Sequence, residues 1–176
     1  PYSLARVPRF QKNIDTSIKL NAKVRSHTKI TIGDFFDEAV KKNPNGIVLY
    51  FEDKKWTYTE FDQWVNRLAN YLLSLGLKKG DKCVLLLDNR PEVISISMAL
   101  AKIGCVASLI NYSQRSAALV HSIKLSKASK ILVGKELIDN FNEVEEKLDP
   151  ADGELMVIPP TSEETVETKG DRAVFN

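Results

Sequence analysis

The run Cys83-Val84-Leu85-Leu86-Leu87 limits what this chain can fold into more than any other feature. Apolar residues in a row, without polar alternation, describe a strand covered on both faces, as inside a parallel sheet. Parallel strands are joined through crossovers, normally helices. The sequence after Leu87 supplies such a series. Pro91 suits the first turn of a helix, and Asn89 with Glu92 is expected to cap it reciprocally. That helix is expected to run to Lys102 and stop at Gly104. Further strands are expected at 105–110, 130–133 and 155–158, with helices at 116–125 and 136–148 between them. Strands alternating with helices of this length indicate βαβ units with right-handed crossovers.

A different pattern precedes this series. Thr31 is placed to cap a helix whose apolar positions are Ile32, Phe35, Phe36, Ala39 and Val40, and Asn43-Pro44-Asn45-Gly46 stops it. Two short strands at 47–51 and 56–58, joined by Glu52-Asp53-Lys54-Lys55, read as a hairpin. Thr59 is expected to cap a second helix with Phe61, Trp64, Val65, Leu68, Ala69, Leu72 and Leu73 as its buried stripe, ended by Gly76. The expected fold class is α/β. A three-layer unit over residues 31–160 holds a mostly parallel sheet with helices on both faces, preceded by a short β-hairpin. Residues 1–30 are expected as a basic, irregular lead-in, and the polar, acidic stretch 161–176 as a linker or a truncated end.

Charge is unevenly placed along the 176 residues, whose net formal charge is only +2. Residues 1–30 carry seven basic side chains (Arg6, Arg9, Lys12, Lys19, Lys23, Arg25 and Lys29) against the single Asp15, a local balance of +6. Such an arm is either a solvated terminus or a surface for anionic lipid or nucleic acid. The start at Pro1, without an initiator Met, reads as a processed or excised fragment. The longest apolar stretch, from Val93 to Ile110, contains Lys102 and several serines, which argues against a spanning helix of about 20 apolar residues. Cys83 and Cys105 lack metal-ligand spacing and read as small core residues of a reducing compartment.

The chemistry carried by short motifs is largely missing. There is no G-x-G-x-x-G, H-E-x-x-H or G-x-S-x-G. Gly134-Lys135 superficially resembles a P-loop, but Ser129 stands where the first Gly belongs and Glu136 replaces the Ser/Thr. His27 is expected to be exposed and His121 to be structural within a helix. Ligands approach open α/β sheets at the carboxyl ends of the strands. The residues expected there are Asp88-Asn89, Asn111-Tyr112 and Gly134-Lys135, with Asn89 explained by capping and Asn111 by a turn. Asn111-Tyr112-Ser113 is formally a glycosylation acceptor, a weak three-residue pattern.

Residues 31–133 resemble the start of the adenylate-forming superfamily, which includes acyl-CoA synthetases, firefly luciferase and peptide-synthetase adenylation domains. Trp56-Thr57-Tyr58-Thr59-Glu60-Phe61 is similar to that family's T-Y-x-E-L element. Asn66, Ala69, Leu72, Gly76 and Leu77 match the pattern that follows it, and Gly80-Asp81 its G-D. Asn89 with Glu92 resembles its N-x-x-E, and Ala99, Lys102 and Gly104 its A…K-x-G. The arrangement Asn111, Arg115, Leu119, His121, followed by Lys130-Ile131-Leu132-Val133, is similar to the fatty acid transport proteins and very-long-chain acyl-CoA synthetases.

The resemblance implies an incomplete N-terminal subdomain of a larger enzyme that joins a fatty acid to CoA through an acyl-adenylate. It implies ATP, Mg²⁺ and CoA as cofactors, with the phosphate loop, the acidic metal-binding residues and the catalytic Lys later in the chain. No catalytic or metal-binding residue is carried over. One cofactor contact is implied by position alone, Lys135 with a CoA phosphate. The resemblance also implies an intracellular, membrane-associated protein at the endoplasmic reticulum, peroxisome or plasma membrane, whose basic lead-in meets anionic headgroups at about 1 kcal/mol per charge. The competing reading is a standalone, non-catalytic binding or scaffolding module of the same fold. Nucleic-acid binding is disfavoured by near-neutral total charge and the lack of a recognition motif. Exposed sheet edges favour self-association.

Overall fold

Hydroxyl caps start the early helices of the main body, and they show how closely local sequence sets the elements. The computed structural model describes residues 8–21 and 30–158. The chain divides into two compact units, Pro1–Ile30 and Thr31–Asn176. In the first, Pro8–Asn21 forms helix α1, in place of the expected irregular lead-in. Pro8 is suited to a first helical turn, and Ile14 and Ile18 lie one turn apart, a period that the short, polar sequence obscures. His27 and the expected terminal segment 161–176 lie outside the described residues.

In the second unit, Thr31 caps α2 (Ile32–Lys42) through a capping box with Asp34. Of its apolar positions only Phe36 is buried, while Ile32 and Phe35 are exposed. Strands β1 (Ile47–Phe51) and β2 (Lys54–Thr57) pair antiparallel as the expected hairpin. Its turn shrinks to Glu52-Asp53, because Lys54 and Lys55 pair with Phe51 and Tyr50. Helix α3 (Tyr58–Ser74) is capped by Thr57, not Thr59. Thr57 accepts the Glu60 N–H while the Glu60 carboxylate accepts the N–H of Thr57. The Thr59 hydroxyl instead donates to the Pro44 carbonyl at 3.0 Å, tying α3 to the loop after α2.

The remaining elements form the three-layer α/β unit. Strands β3 (Lys82–Leu86), β4 (Val106–Leu109), β5 (Lys130–Gly134) and β6 (Glu154–Ile158) make a parallel sheet in the order β4-β3-β5-β6. Helices α4 (Pro91–Lys102), α5 (Ser116–Ser126) and α6 (Ile138–Glu145) follow β3, β4 and β5. The apolar run at 83–87 is divided between two cores. Cys83, Leu85 and Leu87 face one core with residues of α2, α3 and α4, and Val84 and Leu86 face the other with residues of α5 and α6. Each face of β3 is therefore covered by helices, which is what its lack of polar alternation predicts.

Two expectations about the later helices are corrected. The cap of α4 is Arg90, with no side-chain hydrogen bond, so Asn89 and Glu92 do not form a capping pair. With Pro91 as the first helical residue, Glu92 falls one position short of reaching back, and its side chain is buried instead. The helix expected at 136–148 splits into a 3-10 turn, Lys135–Leu137, and α6, which ends at Glu145. Within the 3-10 turn the Glu136 carboxylate accepts the N–H of Asp88 at 3.0 Å. Tighter i→i−3 bonds at Lys147 and Leu148 close the far end.

Candidate functional site

Three strands bring their carboxyl ends together around one guanidinium group. Arg90, in the turn between β3 and α4, donates through Nη2 to the Ile158 carbonyl at the end of β6, at 2.9 Å. Its Nε lies 3.3 Å from Glu136 Oε1, after β5, and 3.8 Å from Glu92 Oε2, in the first turn of α4. These are ion pairs without hydrogen-bond alignment, and both Glu92 carboxylate oxygens lack a hydrogen-bond donor. The Arg90 and Glu92 side chains are only 9% and 6% exposed. Gly134 makes room for this arrangement, since a Cβ there would overlap the Glu136 carboxylate. The cluster thus ties together the ends of β3, β5 and β6.

Sequence reasoning missed Arg90 and Glu136 as site residues. Arg90 was hidden as the residue before a proline, and Glu136 registered only as a mismatch to a phosphate loop. The residues singled out from the sequence are more dispersed. Lys135 is exposed as the first residue of the 3-10 turn, beside Glu136. Asn89 is exposed, its N–H held by the Asp88 carboxylate. Asn111 builds a turn, with Oδ1 accepting the Ser113 N–H at 2.8 Å. His121 is exposed on α5.

At the sheet's β4 edge a cleft of about 410 Å³ is lined by Ser108, Leu109, Asn111, Gln114, Leu125 and neighbouring residues. Gln114 Oε1 is buried there without a partner. None of these groups has the makings of a nucleophile–base pair. Burial pushes the Cys83 thiol up to about 12 and also raises that of Cys105, so both stay protonated at neutral pH. Among the described residues no group of three or more His, Cys, Asp or Glu stands together to hold a metal. Nor, among them, is any helix long and apolar enough to cross a membrane. The arrangement can orient loops and contact a ligand.

The sequence model of the AMP-binding enzyme family matches residues 36–174. The chain belongs to the AMP-binding enzyme family. Among curated relatives it is 32% identical over 116 residues to long-chain fatty acid transport protein 6 of Mus musculus, covering 65% of this chain and 19% of that protein. It is 30% identical over 114 residues to medium/long-chain-fatty-acid–CoA ligase FadD6 of Mycobacterium tuberculosis, again with 65% and 19% covered. The chain therefore spans about a fifth of the length of these relatives. Its fold is similar to that of the anthranilate CoA ligase AuaEII in complex with anthranoyl-AMP (TM-score 0.67, 19% identity, 73% of this chain and 25% of that one). It is also similar to the N-terminal subdomain of Klebsiella oxytoca NpsA (TM-score 0.62, 22% identity, 71% and 30%). The expected membership in the adenylate-forming enzymes and the expected α/β architecture are both borne out.

Proposed function

We propose that this chain is the N-terminal part of a long- or very-long-chain fatty-acid–CoA ligase of the fatty acid transport type, contributing scaffold and not the reacting groups. The observation that supports this reading is the likeness to long-chain fatty acid transport proteins over 65% to 74% of the chain. In the longer protein, a fatty-acid carboxylate attacks the α-phosphorus of ATP and expels pyrophosphate. The CoA sulfur then attacks the acyl carbonyl and releases AMP. Among the described residues no three His, Cys, Asp or Glu side chains stand together, and the sequence holds no run of small residues of the kind that opens backbone N–H groups to a phosphate. No step is therefore assigned to this segment.

CoA touches the segment at one point in this reading. Lys135, exposed at the carboxyl end of β5, faces a CoA phosphate. The longer protein works at the cytosolic face of the endoplasmic reticulum, a peroxisome or the plasma membrane. The isolated chain self-associates through its open sheet edge. A fatty-acid-dependent CoA ligase assay tests the proposal. The longer protein should form acyl-CoA and the 176-residue chain alone should not. Lys135→Glu in the longer protein should raise KM for CoA several-fold while leaving KM for ATP unchanged. An unchanged KM for CoA removes the Lys135 contact, and a longer protein without ligase activity favours a scaffolding module of the same fold.

A further inference from the structure

Lys135 stands at the carboxyl end of β5 between residues that the fold holds on both sides. Gly134 before it is buried and paired in register with Ile158 of β6. Leu137 after it is 6% exposed, within the core that α5 and α6 share with the sheet. A three-residue turn in 3-10 geometry supports itself poorly, so its shape depends on what grips it from outside. Glu136 supplies a grip. Its carboxylate reaches 48 residues back in sequence to the Asp88 N–H at 3.0 Å, and lies 3.3 Å from Arg90 Nε. Arg90 is itself anchored on the Ile158 carbonyl at 2.9 Å, with its side chain only 9% exposed. Gly134 has φ −63° and ψ 140°, which any residue adopts, so its backbone does not require glycine. Its missing Cβ leaves the space that the Glu136 carboxylate occupies. The carboxylate is therefore folded back over the end of β5 and bolted to the turn after β3.

We propose that Glu136 is a positioning residue, which fixes the 135–137 turn so that the Lys135 ammonium meets a phosphate of CoA. The inference rests on the CoA contact of Lys135 given above, and adds the residue through which that contact is set. A lysine on a loose turn loses backbone as well as side-chain freedom when it binds. A turn fixed beforehand removes the backbone share of that loss. The anchors also decide where the neighbouring negative charge goes. Held by Arg90 and the Asp88 N–H, the Glu136 carboxylate is occupied. Released from them, it would compete with the phosphate for the ammonium of Lys135, the residue next to it.

Glu136→Ala and Glu136→Gln in the longer protein test it, read by steady-state kinetics and by calorimetric titration with CoA. Glu136→Ala should weaken CoA several-fold in both KM and equilibrium affinity, with kcat at saturating CoA and KM for ATP unchanged. Glu136→Gln keeps an oxygen that accepts the Asp88 N–H, and should bind CoA like the parent protein. Amide exchange in the 176-residue chain supplies a readout without CoA: the Asp88 N–H should exchange faster in Glu136→Ala and at the parent rate in Glu136→Gln. In a Lys135→Ala background, Glu136→Ala should weaken CoA no further, because its effect passes through Lys135. Parent-like CoA affinity in Glu136→Ala, where Lys135→Ala weakens it, overturns the proposal and leaves the Lys135 contact standing. So does an equal loss with and without Lys135, or a rise of KM for ATP alongside that for CoA. Tighter CoA binding in both Glu136 variants also overturns it, since Glu136 would then act only as a local negative charge. Unchanged CoA affinity in Lys135→Ala removes the contact and the positioning role together. A longer protein without ligase activity that still shows the expected CoA titrations would sink the ligase reading alone.

Discussion

Glu60 accepts the backbone N–H and the hydroxyl of Thr57, each at 2.8 Å. The backbone bond first, and the hydroxyl second, hold its carboxyl below the ordinary value of 4.5. A folded value below the unfolded one stabilises the fold at any pH above the unfolded value, and that contribution disappears as pH falls through the folded value. Glu60→Gln should therefore lower the melting temperature at pH 6, and its deficit against the parent chain should shrink below about pH 4 in a pH series of thermal melts. Arg90 is a second residue with a defined burden. Glu92 is buried beside it, and among the described residues its carboxylate has no other ion pair. Arg90→Met should cost about 3 kcal/mol in urea unfolding, because a carboxylate is left buried without its charge partner. Adding Glu92→Leu should recover a large part of that loss, whereas additive losses would mean that the two residues do not act as a pair.

Among the elements, β3 and β4 differ in what covers them. β3 has a strand on each side and helices on both faces, so every residue from Cys83 to Leu87 is buried. β4 is an edge. The Val106 N–H donates to Asp81 and the Ile110 N–H to Leu85, so the alternation of a strand turns the backbone groups of Ala107 and Leu109 outward. Val106 is 49% exposed, Leu109 64%, and Leu125 of the neighbouring α5 70%. An open, apolar edge of this kind favours association. The chain is expected to associate with rising concentration in sedimentation velocity, and Leu109→Lys should shift it toward monomer. An unaltered distribution would place the contact elsewhere.

For the whole molecule, Lys102 does what no single element can. Its ammonium reaches Asp37 on α2 at 2.6 Å, and Asp62 and Asn66 on α3 at 2.7 and 3.0 Å, from the last turn of α4. Burial alone would lower its pKa, but the hydrogen bonds to Asp37 and Asp62 outweigh that and leave it above 10.5. The stabilisation is thus fully present below 10.5 and is lost as pH rises through the higher folded value. Lys102→Met should cost about 1–2 kcal/mol at neutral pH. The cost should shrink in the most alkaline unfolding curves. Many residues that carry the family likeness prove to be such fastenings. Thr57 and Glu60 cap α3, Gly76, Gly80 and Gly104 adopt positive φ in turns, the Asp81 carboxylate holds the Lys78 N–H, and Lys102 joins three helices.

The sequence by itself determined the alternation of strands and helices, the parallel sheet, the hairpin and the family, because these rest on local period, turn residues and ordered motifs. Cap positions slipped where two hydroxyls compete, as Thr57 and Thr59 do. Pairing decides which one faces a free N–H, since β2 runs through Thr57 while Thr59 is claimed by Pro44. The helix at α1 escaped notice although Phe10, Ile14 and Ile18 recur every fourth residue, because polar residues fill most of the positions between them. The cluster at the carboxyl ends was decided only by the tertiary structure. Arg90, Glu92, Glu136 and Ile158 lie up to 68 residues apart, and only strand order and register bring β3, β5 and β6 side by side so that one guanidinium reaches all three ends.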